Sequence, residues 1–165
     1  LGSSFFQLKP FFDDYSVSWN IVEQEHVSAI GESTLQDDEL KFFSSIKNIP
    51  NITSISTFFS SCAIQYLQDP YKSLNDLNLA EFNYLIFDRL SVSERDKDLL
   101  TIQVVPKNRY EAIYPCWFLS KEIFLNYLSE LGFSLIDSFS ALGGNNATRS
   151  IPRSEYRAFI LEKNM

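Results

Sequence analysis

An α/β sheet of the doubly wound kind is the fold class this sequence predicts, and three observations predict it. Short runs that are apolar on both faces recur along the first part of the chain, as parallel strands covered by helices on both sides require. Helical patterns with recognisable start and stop signals lie between them. The last third changes character and ends in two strand-like runs joined by a glycine-rich turn, which reads as an antiparallel hairpin.

The elements follow in order along the 165 residues. Ser4 with Gln7 makes a capping-box pattern, and Phe5, Leu8, Phe12 and Tyr15 repeat at helical spacing, with Pro10 set to kink or split the segment. Trp19–Glu23 is a strand ending in an acid, and Leu40–Phe43 is a short second strand. Ile55–Phe59 is a third, running into Ser60-Ser61, and Tyr84–Phe87 is a fourth, ending in Asp88-Arg89. Asp69-Pro70 pairs an N-cap with proline at the first helical position, leading into Tyr71, Leu74 and Leu77. Ser120 caps a helix carrying Ile123, Phe124, Tyr127, Leu128 and Leu131, which Gly132 ends. Leu100–Val105, Phe133–Phe139 and Tyr156–Leu161 read as strands without room for a crossover helix between all of them. The last two are joined through Gly143–Asn146. With no internal repeat, charge block or flexible linker, residues 1–165 read as a single domain.

Composition narrows the function. Fourteen Lys and Arg against 21 Asp and Glu leave a net charge of −7, which excludes a dedicated nucleic-acid binder built on a basic face. No apolar run approaches the roughly 18–20 residues of a membrane span. Two cysteines cannot make a disulfide framework, so a reducing, cytoplasmic compartment is expected. Aromatic residues at 15% belong to a chain that builds a core.

In open α/β sheets the ligand lies beyond the carboxyl ends of the strands. That places Glu23-Gln24, Ser44-Ser45, Ser60-Ser61 with Gln65-Tyr66, and Asp88-Arg89 where chemistry belongs. An acid at the end of the first strand suits a carboxylate that accepts hydrogen bonds from a ribose diol; a solvated helix-start glutamate is the plainer account. His26 is the only histidine, and one histidine cannot make a cluster of histidine ligands. Cys62 and Cys116 lack metal-ligand spacing, so no metal site is expected. Cys62 reads as a small buried hydrophobe.

Tyr114–Phe118 is a dense aromatic stretch around Pro115, either core packing or the wall of an acceptor pocket in a loop. Arg149, Arg153 and Arg157 fall in the terminal hairpin. They suit a phosphate or carboxylate on a substrate, or equally a solvated basic edge strand.

Taken together, the segments Leu1–Gln7, Trp19–Gln24, Ser60–Tyr71, Ile86–Arg89, Leu100–Gln103 and Tyr114–Phe118 resemble the class I S-adenosylmethionine-dependent methyltransferases. More narrowly they resemble a bacterial methyltransferase family found in surface-polysaccharide (O-antigen or capsule) gene clusters. The resemblance implies a Rossmann-like methyltransferase sheet with a C-terminal antiparallel hairpin, and S-adenosyl-L-methionine as cofactor. It assigns Gly2 and Ser3 to the end of the glycine-rich cofactor loop, Glu23 to the ribose hydroxyls and Gln24 to the adenosine. Ser44 and Ser45 come near the adenine, and Ser60 and Ser61 border the cofactor. Gln65, Tyr66, Asp88, Arg89, Tyr114 and Trp117 become acceptor-side residues; Arg149 joins them from the basic cluster, and Asp88 or His26 is the candidate base for a hydroxyl acceptor.

The family's first strand and most of its glycine loop would precede Leu1, so this chain is expected to be an N-terminally truncated form. The expected acceptor is a small molecule or a sugar hydroxyl, and a homo-oligomer fits the reading. A non-catalytic methyltransferase-like subunit that binds or assembles is the rival. A dinucleotide-dependent oxidoreductase ranks last, because no G-x-G-x-x-G is visible.

Overall fold

The parallel pairing expected of the short two-faced runs is present in a computed structural model. It describes residues 1–12, 15–50, 56–105, 107–108, 110–145, 151 and 153–164, with the backbone alone at 142–145. These residues fall into two compact units, Leu1–Ile52 and Thr53–Met165.

The first unit opens with α1 (Ser3–Leu8) and a 3-10 turn over Lys9–Phe11, with Pro10 at the break. Ser4 lies inside the helix rather than at its cap; Gly2 takes the cap position, at φ 69°. Strand β1 (Trp19–Val22) pairs in parallel with β2 (Leu40–Phe43), and α2 (Glu25–Thr34) connects them. Phe5, Leu40 and Phe42 form the core, with Trp19, Ile21 and Leu35 packed against it. At Gly31 the helix approaches so closely that a Cβ would sit 2.3 Å from the Phe42 ring, which leaves room for no other residue.

The second unit is built on one mixed sheet. Strand β3 (Thr57–Ser61) runs parallel to the first half of β4 (Tyr84–Ser93). Between them lies α3 (Pro70–Asp76), where the Asp69 carboxylate accepts the Lys72 amide hydrogen at 3.0 Å, as an N-cap should. Strands β5 (Leu99–Val105) and β6 (Ala112–Ser120) form an antiparallel hairpin, and the end of β6 joins β4 in parallel at Val92 and Ser93. Helix α4 (Lys121–Glu130) starts at the Ser120 cap and ends before Gly132 at φ 87°. Strands β7 (Phe133–Asn145) and β8 (Ser154–Lys163) complete the sheet, and β8 lies antiparallel between β4 and β7. Phe124 of α4 sits edge-on to Phe87, ring centroids 5.1 Å apart, and 5.9 Å from Phe159, which seals the helix to the sheet.

Three expectations need correction. Tyr114–Phe118 is not a loop but the middle of β6. Pro115 is tolerated there because β6 has only β5 beside it at that point, so the missing N–H interrupts no ladder on the other side. Strand β7 continues through Gly143–Asn145, where a turn was expected. Strand β8 is internal, so Arg157 does not lie on an edge strand, and Arg153 stands in the turn before it.

Candidate functional site

The polar residues expected to work together gather at two places, one in each unit. In the first unit both strands end side by side: the Glu23 amide donates to the Phe43 carbonyl at 3.0 Å, which sets Glu23-Gln24 beside Ser44-Ser45. Glu23, Gln24 and Ser44 are exposed. The Glu23 carboxylate makes no hydrogen bond or ion pair among the described residues. Ser45 caps a 3-10 turn through the Lys47 amide at 3.3 Å. Gly2 abuts the same strand, since a Cβ there would meet the Phe6 ring at 3.2 Å and Ile21 at 3.7 Å. Ser3 begins α1 and is exposed, as is His26 in the first turn of α2.

The second gathering is tighter. Strand β4 has β3 as its neighbour up to Asp88 and β6 from Val92 onward, and its register against β8 shifts between Phe87 and Leu90. The bulge turns Asp88 and Arg89 out at the point where one neighbour leaves and the next arrives. Arg89 takes φ 51° there, and Cys62, just past β3, takes φ 53°. Neither is glycine, so both positions are strained.

A closed ring of hydrogen bonds holds these ends. Ser61 Oγ donates to Asp88 Oδ2 at 2.8 Å, Arg89 Nε donates to the same oxygen at 3.1 Å, and Arg89 Nη2 donates to Ser61 Oγ at 2.7 Å. The second Asp88 oxygen is left without a bond among the described residues. Beneath the ring Gln65 is fully buried, its amide donating to the Arg89 carbonyl at 2.9 Å and to Cys62 Sγ at 3.5 Å. Its own carbonyl oxygen is buried without a partner among the described residues. Gln65, expected on the acceptor side, is thus placed in the interior, where it braces the strained Arg89 backbone.

Tyr66 hydroxyl lies 3.8 Å from Cys62 Sγ and 3.5 Å from Gln103 Oε1, and its ring meets Tyr114 edge-on at 5.4 Å. Burial, together with the neighbouring Cys62 thiol, pushes the Tyr66 phenol far above its ordinary value. Tyr66 therefore remains a neutral donor. Burial likewise pushes the Cys116 thiol up.

Tyr114 and Trp117 do not wall one pocket, because an odd spacing on a strand sends them to opposite faces. Trp117 is tethered through Nε1 to the Leu67 carbonyl at 3.1 Å. Arg153 pairs with Glu94 at 3.4 Å and Arg157 with Glu155 at 2.8 Å. The Arg157 pair is half-buried within the sheet, the Arg153 pair is exposed beyond the strand ends, and Arg149 lies outside the described residues. Gln103 and the two strained backbones were not foreseen. The alternation of Leu99–Val105 against Ala112–Ser120 was a readable signal for Gln103, but no sequence feature marks positive φ at a cysteine or an arginine.

No family model matches the chain, and no curated protein matches it in sequence. Solved structures do match it. A SAM-dependent methyltransferase from Methanosarcina mazei superposes with a TM-score of 0.61 at 10% identity, over 96% of this chain and 87% of that one. The glycopeptide N-methyltransferase MtfA, complexed with S-adenosyl-L-methionine, gives 0.57 at 13% identity, over 95% and 76%. A variant of LepI, in complex with SAH and a substrate analogue, gives 0.61 at 8% identity, over 99% of this chain but 40% of its own. The chain thus spans about two fifths of the length of LepI. At such identities the likeness defines the fold, which is the Rossmann-like fold of SAM-dependent methyltransferases.

Proposed function

We propose that this chain is an enzyme, or the greater part of one, that transfers a methyl group from S-adenosyl-L-methionine to a hydroxyl of a small molecule or sugar. The proposed setting is the cytoplasmic assembly of a surface polysaccharide. The observation that carries the proposal is the strained, hydrogen-bonded Ser61–Asp88–Arg89 ring at adjoining strand ends, in a fold shared with SAM-dependent methyltransferases. On this reading residues 1–165 belong to one domain of that fold. A further strand, outside these residues, would take the edge of β3 that is unpaired among the described residues.

The residues fit the cofactor chemically. An exposed carboxylate without a partner among the described residues, as at Glu23, is what a ribose diol needs. Gly2 offers backbone with no side chain in the way. Ser3, Gln24, Ser44 and Ser45 of the first unit are proposed cofactor contacts. The cofactor supplies an electrophilic methyl group when bound.

The protein then aligns the acceptor and takes up its proton. The free oxygen of Asp88 accepts the hydroxyl proton, while Arg89 orients a neighbouring anionic group of the acceptor. Tyr66 and Tyr114 offer edge-on rings to a flat apolar face. His26 is the other candidate base.

Calorimetry and thermal shift with S-adenosylhomocysteine test the reading. A saturable heat and a raised melting point are expected, since a ligand that binds only the native state must stabilise it. Absence of both would transfer support to the non-catalytic assembly subunit.

A further inference from the structure

The β5–β6 hairpin carries a feature that methyl transfer does not use. On its outer face Leu100, Ile102 and Val104 of β5 are 50%, 65% and 65% exposed, and Ile113 of β6 is 70% exposed. Pro115 is exposed beside them, and the half-buried Trp117 completes the face. The register pairs Leu100 with Trp117, Ile102 with Pro115 and Val104 with Ile113, so three cross-strand pairs in a row are apolar. Together these side chains make an exposed apolar patch of the kind that marks an interaction surface.

Strand β5 is also an edge, since among the described residues it pairs with β6 alone. Its seven residues Leu99–Val105 include no charge, no proline and no register break. The opposite edge of the same sheet differs. Strand β7 exposes Leu135, Ile136 and Phe139, but shifts of register at Leu135/Asp137 and Ser140/Asn145 break its line, and Asp137 stands within it. Edges that face water are blunted in the way β7 is; β5 is left open for pairing.

The pattern of β5 shows which partner. Leu100-Thr101-Ile102-Gln103-Val104 alternates apolar and polar symmetrically about Ile102, so it reads the same in both directions. An isologous contact needs a surface that complements itself, and an antiparallel strand pair about a two-fold axis needs this kind of symmetry. Ile102 would face its own copy, Leu100 would face Val104, and Thr101 would face Gln103. The main-chain ladder would satisfy the open N–H and C=O groups of β5, and the facing side chains would continue the apolar rows of the hairpin across the two-fold axis.

We propose that β5 pairs antiparallel with β5 of a second copy of this chain, about an axis through Ile102, joining two hairpins into one four-stranded sheet. The proposal is independent of methyl transfer.

Sedimentation velocity over a range of concentrations tests it. The chain is expected at twice its 19.1 kDa. Ile102→Lys, with two like charges meeting on the axis, is expected to weaken association about a hundredfold or more while leaving circular dichroism unchanged. Should that variant not fold, Ile102→Cys serves instead. Its oxidation is expected to give a reducible covalent dimer, since facing residues of an antiparallel pair lie about 4.5–5.5 Å apart and within disulfide reach. Ile136→Cys on β7 should give none. A monomer at every concentration, a dimer unaffected by Ile102→Lys, or no cross-link through Ile102→Cys would overturn the proposal. So would binding of the monomer to neutral phosphatidylcholine vesicles that is lost in Ile102→Lys, which would assign the patch to a lipid surface.

Discussion

The carboxyl ends of the two parallel strand pairs, β1–β2 and β3–β4, occupy the same position in the logic of an α/β sheet and are built in opposite ways. At the first, Glu23 and Ser44 stand in water and the Glu23 carboxylate has no protein partner among the described residues. At the second, Ser61, Asp88, Arg89 and Gln65 are tied together by hydrogen bonds, and two non-glycine residues are held at positive φ. An end made of unengaged acceptors suits a ligand that must come and go. An end braced at the cost of strain suits groups that must hold one geometry while bonds change. Binding and positioning are thus separable, and substitutions should separate them.

The largest effect is expected where the open end is tied to its scaffold. Gly31→Val drives side-chain atoms into the Phe42 ring, where even a Cβ would be 2.3 Å away. A cost of about 3 kcal/mol, the upper range for overpacking, is expected. Trp19 lies in the same unit and Trp117 in the other, so single-tryptophan variants can follow each in urea. Loss of the Trp19 transition at denaturant concentrations that leave Trp117 native would show that the two ends stand on separate supports. A single shared transition would join them.

Next comes the braced end. Asp88→Ala removes the acceptor for both Ser61 and Arg89, leaving the guanidinium without its carboxylate. The carboxylate is about one third exposed, so water compensates in part, and about 1–2 kcal/mol is expected from urea midpoints. Methyl transfer should fall while S-adenosylhomocysteine affinity changes little. Equal losses of binding and turnover would merge the two roles.

Glu23→Ala is the mirror image. Cofactor affinity is expected to fall about tenfold by calorimetry, as for one charge-assisted contact. The urea midpoint should stay where it is, because no group among the described residues depends on that carboxylate. A destabilised but fully binding variant would reverse the assignment.

How much of this was legible in the sequence follows the same division. Strands β1 to β4 were readable because short two-faced apolar runs have few other uses, and the caps at Asp69 and Ser120 announce themselves by residue type. Glu23, Ser44, Ser61 and Asp88 were readable as strand-end residues for the same reason. The β5–β6 hairpin was half missed, because Pro115 reads as a loop signal until the one-sided pairing of β6 is known. The brace was not legible at all. Gln65 is polar yet fully buried, and its partner is a main-chain carbonyl 24 residues away. Such a contact leaves no periodicity, and a positive φ at cysteine or arginine runs against the propensity from which sequence reading starts.

That hidden strain can itself be measured, and it gives the smallest and most discriminating effect. In an exposed helical position such as Ala29 of α2, alanine to glycine should cost about 1 kcal/mol, from backbone entropy. At Cys62 the ordering should invert. Cys62→Ala loses the weak contacts of Sγ with Gln65 at 3.5 Å and Tyr66 at 3.8 Å and keeps φ 53° on a residue with a Cβ. Cys62→Gly loses the same contacts but releases about 1 kcal/mol of left-handed strain, which offsets the entropy of the added glycine. Glycine is therefore expected to be as stable as alanine at position 62, or slightly more stable, by urea unfolding of the paired variants. If Cys62→Gly instead falls below Cys62→Ala by as much as Ala29→Gly falls below the parent, the turn after β3 stores no strain. The braced end would then differ from the open one only in its hydrogen bonds.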